Sequence, residues 1–471
     1  MKEWLTIILS LLCIEADAQL ARYRHDFTLN RTDFVDSITI EWEHNQVFLP
    51  VDINGRRYRF LFDTGSAQAV VYADTPIDGC TPAGFIRSHD AVGAVDTVKM
   101  VMLPPVTIGS LTIEGCQATI QHRPVRGRNI DGIIGFNLIN GGLCAKIDVR
   151  NNLLILTDRK GFFTREPGFE SRYKLKFHVP YLEVSPASPF NELTLFDTGS
   201  RGLYTMNRSS FDACAEKYGS QVETLVEGRS MGRHAIGHFG IEKLHEVIFL
   251  RLQQLRVCDY AFCDVHTLTT QGESSLGAAV LNYGAMIFNP RKKRVRFYPY
   301  NQQTEVLIAN KQLDIAFVPE RGMPSVGLIW EQGEPYQLGF RQGDVILKID
   351  DSIVSDFTQF VSWPFIIGRE YRFTVRGRDG LIREIRWTRC PQPQLRLGRR
   401  GVKEYIKQKR KKNGLSQVEL AERAGVGLRF VRELEQGKQT LRMDKVNLPK
   451  TKRDSISCMM RYILPVRMLP L

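Results

Sequence analysis

The sequence has little of what assigns a chain quickly to a class of protein. Its nine cysteines form no Cys-x-x-Cys pair, which argues against a zinc ribbon and a thioredoxin-type redox site. No stretch after the N-terminus approaches the roughly 20 apolar residues that a membrane-spanning helix requires. Most of the chain also lacks net charge: residues 1–390 hold 44 basic and 44 acidic side chains, whereas residues 391–471 hold 20 and 7. The protein is therefore a neutral body with a basic C-terminal segment, and its net charge of +13 says nothing about partners of the body.

The cysteines are scattered, and their spacing leaves their pairing open. If the body is exported, Cys80 could pair with Cys116, and Cys258 with Cys263. Buried free thiols fit the sequence equally well.

The N-terminus has the features of a secretory signal peptide. Lys2 provides a charged start, residues 4–12 are apolar, and Ala16-Asp17-Ala18 forms a small-x-small cleavage site. A buried N-terminal helix is the alternative interpretation, and a lipoprotein signal at Cys13 is disfavoured because two leucines precede it. We therefore predict that residues 1–18 are removed, and that the mature chain is exported to a bacterial periplasm or cell envelope without a transmembrane span.

Residues 61–66 read Leu-Phe-Asp-Thr-Gly-Ser, and residues 195–200 repeat the same six letters. Each copy follows an apolar, strand-like run; the first run starts after a predicted hairpin turn at Asn54-Gly55. A carboxylate at the end of a buried strand is costly to ionise unless a neighbouring group requires it. For a single copy, an Asp that caps a turn would be the simpler interpretation. Two copies predict that Asp63 and Asp197 meet across a pseudo-twofold axis.

The surroundings of the two copies are also duplicated. Gly135 follows Asp63 by 72 residues, and Gly277 follows Asp197 by 80, each within an apolar segment. An internal repeat of this length predicts two similar lobes in a mainly β fold. The predicted lobes are residues 37–160 and residues 170–300.

This doubled pattern resembles that of the pepsin- and retropepsin-like aspartic proteases, with small lobes similar to bacterial retropepsin-like enzymes but joined in one chain. The resemblance covers residues 37–300 and implies closed, barrel-like lobes and an aspartic endopeptidase that acts on polypeptides. It implies that Asp63 and Asp197 are catalytic. It also implies hydroxyl bonds between the lobes from the threonines, N–H donors to the carboxylates from the glycines, and hydroxyl contacts to the outer carboxylate oxygens from the serines. These supporting residues are Thr64, Gly65, Ser66, Thr198, Gly199 and Ser200.

Hydrolysis of a peptide bond by water needs both a base and an acid. Two carboxylates about 3 Å apart supply both because they do not ionise together, as the aspartic-protease dyad is known to illustrate. Such a pair titrates as a unit, so neither residue is assigned the acid or the base role. No cofactor and no metal are predicted, since His234 and His238 lie four residues apart without a third ligand nearby in the sequence.

Each lobe has a glycine-containing stretch where a flap over the substrate is expected. Gly93 marks the first candidate flap and Gly232 the second. Ordinary surface loops are the alternative. The first stretch contains no tyrosine, which departs from the pepsin pattern and leaves a pepsin-like substrate preference without support.

A different pattern begins after the lobes, at residues 313–390. Residues 339–349 resemble the Leu-x-x-Gly-Asp-x-Ile core of bacterial PDZ domains, and residues 357–363 could form that domain's second helix. A closing hairpin is predicted around Asp379-Gly380. The resemblance implies an α+β domain that binds the end of an extended peptide by strand addition, although a packing role against the lobes is the alternative.

The basic segment is predicted to hold a small all-α helix-turn-helix at residues 401–447. Ser416 and Glu419 form a capping box at the start of its second helix. The segment resembles phage-repressor and HipB-like antitoxin regulators, which implies DNA binding, with Arg429 and Arg432 exposed on the third helix. Residues 448–471 do not continue that pattern and are predicted to be an unstructured tail.

A secretion signal and a DNA-binding segment conflict within one chain, because an exported protein does not meet the chromosome. Our hypothesis is a gene fusion whose DNA-binding part is a relic. Two other interpretations stay open: a DNA-binding regulator fused to an inactive protease fold, and a peptide-binding adaptor built on that fold.

Overall fold

The computed structural model describes residues 27–123, 130–308, 310–366, 368–388, 410, 415–424 and 428–436. The chain divides into two compact units, residues 1–392 and residues 393–471. The predicted signal peptide (residues 1–18) and tail (residues 448–471) lie outside the described residues. So do residues 401–414 of the predicted helix-turn-helix, except residue 410.

Most strands of the first half of the chain form one sheet, and the strand that ends at Asp63 lies in the interior of that sheet. The hairpin expected at Asn54-Gly55 is confirmed, since both residues have positive φ and the flanking strands pair in register. The strand order is β1-β10-β9-β4-β5-β12-β6-β11-β8-β7, with β3 beside β4. The elements of this half are β1 (Thr28–Leu29), β2 (Val35–Thr39), β3 (Glu41–Glu43), β4 (Gln46–Ile53), β5 (Arg56–Asp63), β6 (Ala69–Tyr72), β7 (Thr81–His89), β8 (Val95–Met102), β9 (Val106–Ile108), β10 (Leu111–Glu114), β11 (Gln117–Gln121), β12 (Gly132–Gly135), α1 (Asn137–Asn140), β13 (Cys144–Asp148) and β14 (Leu153–Thr157).

The second half repeats this plan with a longer pair of outer strands. Its lobe follows the order β19-β20-β21-β18-β22-β17-β16, and β25 pairs with β21. Asn207 caps the helix that follows β18, through its side-chain oxygen. The elements are β15 (Phe169–Lys176), β16 (Val179–Ala187), β17 (Phe190–Asp197), β18 (Tyr204–Asn207), α2 (Arg208–Tyr218), α3 (Ser220–Glu223), β19 (Val226–Gly232), β20 (His245–Val257), β21 (Tyr260–Thr270), β22 (Ser275–Gly277), a 3-10 helix (Ala278–Asn282), β23 (Gly284–Asn289), β24 (Arg294–Pro299) and β25 (Glu305–Leu307).

One sheet joins the two lobes beneath the repeated motifs. Its order is β15-β24-β23-β13-β14-β2, so three strands come from each half. The seam between the halves is the antiparallel pair β13–β23. Phe136, Tyr173 and Phe288 pack edge to face against one another and are all buried; Tyr173 lies on β15 and Phe288 on β23. The mainly β, two-lobed fold expected from the sequence is confirmed.

The third module (residues 313–388) is a smaller α+β domain. Its sheet has the order β26-β27-β28-β30-β31, with β29 beside β28. Asp344 is buried in this module, and each of its two carboxylate oxygens accepts a hydrogen bond from Arg383 at 2.6 Å. The elements are β26 (Ile315–Glu320), β27 (Met323–Ile329), α4 (Glu334–Gln337), β28 (Val345–Ile349), β29 (Ser352–Ile353), α5 (Phe357–Val361), β30 (Glu370–Arg376) and β31 (Ile382–Thr388).

The C-terminal unit contains α6 (Gln417–Ala424) and α7 (Leu428–Gln436). The predicted capping box is confirmed: the Glu419 N–H donates to the Ser416 hydroxyl (3.1 Å), and the Ser416 N–H donates to the Glu419 carboxylate (2.7 Å). The carboxylate of Glu435 accepts two hydrogen bonds from Arg410. This buried ion pair ties α7 to the residues before α6.

The six cysteines in the described part of the chain are free, so neither bridge considered above is formed. Cys258 lies in the turn between β20 and β21, whereas Cys263 lies along β21 opposite Gln254, too far from the turn for a bond. Over the described residues, no helix has the length and apolar character needed to cross a membrane.

Candidate active site

The two repeated motifs lie at equivalent strand ends. Asp63 ends β5 beside Gly135 of the parallel strand β12, and Asp197 ends β17 beside Gly277 of β22. A Cβ atom on Gly135 would lie 2.5 Å from the carbonyl oxygen of Ser66, so only glycine allows this close approach. The apolar segments that contain Gly135 and Gly277 therefore pack directly against the turns that follow Asp63 and Asp197.

Two threonines join the motifs across the lobe interface. The Thr64 N–H donates to the Thr198 hydroxyl (2.9 Å), and the Thr198 N–H donates to the Thr64 hydroxyl (3.0 Å). Each hydroxyl donates in turn to the opposite strand, to Phe196 O and Phe62 O at 2.6 Å. Both threonines are fully buried, so four hydrogen bonds without competing water fix one loop against the other.

This interface brings the two carboxyl groups together. A Cβ atom on Gly65 would lie 2.7 Å from Asp197 Oδ1 and 3.2 Å from Asp63 Oδ1, and a Cβ atom on Gly199 would meet Asp63. The Gly65 N–H donates to Asp63 Oδ1 and the Gly199 N–H to Asp197 Oδ1, both at 2.8 Å. Burial, the like charge of Asp63 and a hydrogen bond to Asp63 raise the pKa of Asp197 well above its ordinary value. The pair therefore retains one proton under conditions in which a solvated carboxylate is ionised.

The serines differ from the expectation. The Ser66 hydroxyl donates its single proton to the carbonyl of Gln68 (2.8 Å) instead of a carboxylate oxygen, because the tight turn places that carbonyl beside it. Ser200 reaches Asp197 Oδ1 through its main-chain N–H (3.2 Å). The glycine N–H donors are therefore found as expected, whereas Ser200 contacts its carboxylate through the main chain.

The first candidate flap is a hairpin. We define the first flap as residues 89–95, between β7 and β8; Gly93 lies at its tip with a φ of +79°. Asp90 Oδ1 accepts hydrogen bonds from the N–H groups of Val92 and Ala94, which closes the turn.

The second flap is the loop of residues 233–244, between β19 and β20. Gly232 lies at the base of this loop and not at its tip. A Cβ atom on Gly232 would contact Gly327 and Leu328 of the third module. The two flaps meet: the Phe239 N–H donates to Asp90 Oδ2 at 2.8 Å. Sequence reasoning did not identify Asp90, although an Asp three residues before a glycine is a turn signal.

A buried carboxylate holds the base of the second flap. Glu242 accepts hydrogen bonds from the Thr270 hydroxyl (2.7 Å) and the Gln271 N–H (2.6 Å), and its oxygens lie 3.2 Å from His245 Nε2 and 3.6 Å from His234 Nε2. Burial alone raises the pKa of Glu242, but His234 and these hydrogen bonds bring it below its ordinary value. Burial is the main cause of the lowered pKa of His245. Of the residues in this cluster, the sequence analysis singled out only His234.

The predicted DNA-binding arginines lie on α7. Arg429 has an 86% exposed side chain that pairs with Glu433 one turn away (3.1 Å), and Arg432 is also exposed. Both side chains are therefore accessible from solvent on this unit.

Comparisons with known proteins identify two segments of the chain. No curated protein matches the sequence. Among solved structures, an aspartic proteinase from Irpex lacteus is 12% identical with a TM-score of 0.35, over 56% of this chain and 97% of that one. Basic 7S globulin from soybean is 9% identical with a TM-score of 0.35, over 56% and 94%. Residues 406–447 match a helix-turn-helix family model. Residues 49–138, which include Asp63 and most of the first lobe, match the family model described as aspartyl protease.

Proposed function

We propose that this chain is an aspartic endopeptidase that hydrolyses peptide bonds with water activated by Asp63 and Asp197. The observation that carries the proposal is the pair of half-buried carboxyl groups, held together by the reciprocal threonine bonds. The aspartyl protease match over the first lobe agrees with it.

The chemistry follows from one shared proton. The ionised carboxylate accepts a proton from water as the water oxygen attacks the scissile carbonyl carbon, and the protonated carboxyl donates its proton to the carbonyl oxygen. The resulting gem-diol then collapses as the C–N bond breaks. One of its hydroxyls returns a proton to the carboxyl that protonated the carbonyl oxygen, and the carboxyl that took a proton from water protonates the leaving amine. The dyad ends with the single proton with which it began.

Cleavage of a peptide library by the full chain, from acid to neutral pH, tests this function. We expect cleavage that pepstatin inhibits, and we expect Asp63→Asn and Asp197→Asn each to abolish it. Unchanged cleavage in both variants would exclude the dyad mechanism, and the absence of cleavage at every pH would favour an inactive protease fold.

We propose that the third module supports the second flap. The Arg233 N–H donates to Gly327 O (2.9 Å), and the Arg233 side chain lies 3.6 Å from Glu320. Ile236, from the loop itself, packs against the module's apolar core. Trp330 stacks near Phe249 of the second lobe, with ring centroids 5.8 Å apart. These contacts give the module a packing role at the flap.

The sheet of the module has two edge strands, β26 and β31, to which a peptide could add. β26 ends its sheet, so an extended peptide could add to it as the PDZ resemblance implies. Fluorescence anisotropy with a library of labelled C-terminal peptides tests this. Leu328 contacts Gly232 at the base of the second flap. If Leu328→Ala still binds peptides but changes hydrogen exchange in the second flap, the peptide-binding role is separate from the packing role.

A second candidate function is DNA binding by the C-terminal unit, which the helix-turn-helix match favours. Nuclease footprinting of the full chain at stated salt tests it, and Arg429→Ala and Arg432→Ala should each reduce the salt slope by about one.

The export proposed from residues 1–18 is tested by cell fractionation. Periplasmic recovery without specific footprints would make the DNA-binding segment a relic.

A further inference from the structure

Gln46 crosses from the first lobe into the Asp197 loop. It is the first residue of β4 and is fully buried. Its Nε2 donates to Gly199 O (2.9 Å), and its Oε1 accepts from Arg201 Nε (3.0 Å). Asn45 beside it donates to Arg201 O (3.0 Å), so two adjacent amides of one lobe hold the loop of the other.

The peptide group that Gln46 holds is one that contacts the dyad. The Gly199 carbonyl and the Ser200 N–H belong to the same planar peptide unit and point in opposite directions. The Ser200 N–H donates to Asp197 Oδ1 (3.2 Å). A hydrogen bond accepted by a peptide carbonyl polarises the N–H of that peptide and fixes its plane. The amide of Gln46 therefore acts on Asp197 through a single peptide group.

Among the described residues, the second lobe offers no equivalent amide to the Asp63 loop. Leu61 pairs with Phe48 and Leu195 with Tyr181, each two residues before its Asp, so Val179 is the counterpart of Gln46. Val179 is an apolar side chain and offers no donor to Gly65 O. The Ser66 and Ser200 N–H groups each donate to the main-chain oxygen of their own Asp (3.2 Å), and of the two only the Ser200 N–H also donates to the carboxylate. The pseudo-symmetric dyad therefore has one loop with an amide anchor and one without.

We propose that Gln46 is a positioning residue for the proposed hydrolysis, aiming the Ser200 N–H at Asp197 and so stabilising the ionised form of the dyad. The inference rests on the proposed function, because it concerns the protonation state in which the dyad activates water. Gln46 itself is buried away from solvent and touches no substrate, so it acts on turnover and not on substrate affinity.

The test is the pH profile of kcat/KM for Gln46→Met, which keeps the length of the side chain but removes the donor. Weakening one N–H bond to the carboxylate should move the acid limb about half a pH unit or more to higher pH. We expect kcat to fall several-fold with KM unchanged, after correction for active sites titrated with a tight-binding inhibitor. Val179→Ala, at the counterpart position, should leave the limb in place.

Titration of selectively labelled Asp carboxyl carbons by NMR gives the same information without turnover. The lower apparent pKa of the dyad should rise in Gln46→Met and stay unchanged in Val179→Ala. An unmoved titration, or a loss of active sites with an unmoved acid limb, would reduce Gln46 to a merely structural residue. A wild-type chain that cleaves nothing would instead overturn the proposed function, while the NMR titration would still decide the role of Gln46.

Discussion

The carboxylate of Asp90 accepts a hydrogen bond from the main-chain N–H of Phe239, and this bond joins the two flaps. The two partners come from different lobes, so the bond links the lobes without a covalent connection. For the function proposed above, binding of a polypeptide between these two loops would require this contact to break.

Asp90→Ala should loosen both flaps. It removes the acceptor for Phe239 and also the two hydrogen bonds that close the first turn. The loss of about 1 kcal/mol per bond predicts a rise of roughly fivefold or more in amide hydrogen exchange at residues 89–95 and 233–244. Asp90→Asn keeps one acceptor oxygen and should have a smaller effect. Equal exchange in all three proteins would show that other contacts hold the flaps.

Asp197→Asn should make the protein more stable at neutral pH while abolishing activity. The pKa of Asp197 is raised in the folded state, so its stabilising contribution is complete below the ordinary value of 3.8 and is lost as pH rises through the folded-state pKa. The variant avoids this loss. The free energy of unfolding of Asp197→Asn should therefore exceed that of the wild type by an amount that grows by about 1.4 kcal/mol per pH unit between pH 3.8 and the folded-state pKa. Urea unfolding at several pH values measures it, and a constant difference would contradict the shared-proton dyad.

Thr198→Val should destabilise the interface between the two loops. The change leaves the Phe62 carbonyl without its donor and the Thr64 N–H without its acceptor, in a site closed to water. We expect a loss of about 2–4 kcal/mol in thermal or urea unfolding, together with reduced cleavage. Thr198→Ser keeps the hydroxyl and should cost only about 1 kcal/mol. Similar losses in the two variants would mean that packing and not hydrogen bonding stabilises this site.

Acid should release the second flap before the rest of the fold. The pKa of His245 is lowered by burial, so the folded state resists protonation and stability falls as pH drops below the ordinary value of 6.5. Glu242 and Arg208 face His245, and His234 lies beside it. Glu242, whose pKa is also lowered, loses its contribution only at still lower pH.

The protection of residues 233–244 against hydrogen exchange, corrected for the intrinsic pH dependence of amide exchange, should therefore fall as the pH is lowered from 6.5 to about 5. His245→Gln cannot gain a proton and should flatten this dependence. A variant that keeps the wild-type pH dependence would assign the effect to another group.

The sequence predicted the parts of the site that depend on local pattern. The repeated hexapeptide located both carboxylates, and its resemblance to a known pattern implied the N–H donors of Gly65 and Gly199. Gly93 was proposed to mark a flap from a local glycine signal of the same kind. The Ser66 hydroxyl was assigned to the wrong partner because the choice between Gln68 O and a carboxylate depends on the closure of one turn.

Features that depend on contacts between distant elements could not be predicted. Gln46 looks like any residue at the start of a strand, and its role arises only because the pseudo-twofold axis brings it to Gly199. Glu242 is an acidic residue in a polar stretch until folding buries it between two histidines. Gly232 was expected to mark the second flap, but the greater length of that loop and the contact with the third module leave Gly232 at the base of the loop.

The seam at β13 and β23 has a consequence for the origin of the chain. Because three strands of the joining sheet come from each half, a gene for only one half would encode a protein with an unsatisfied row of main-chain groups along Ala145–Ile147 or its counterpart. Such a row invites pairing with another copy. An ancestral single lobe with this architecture would thus have been soluble as a symmetric pair, and the present polypeptide makes that partnership permanent by covalent continuity.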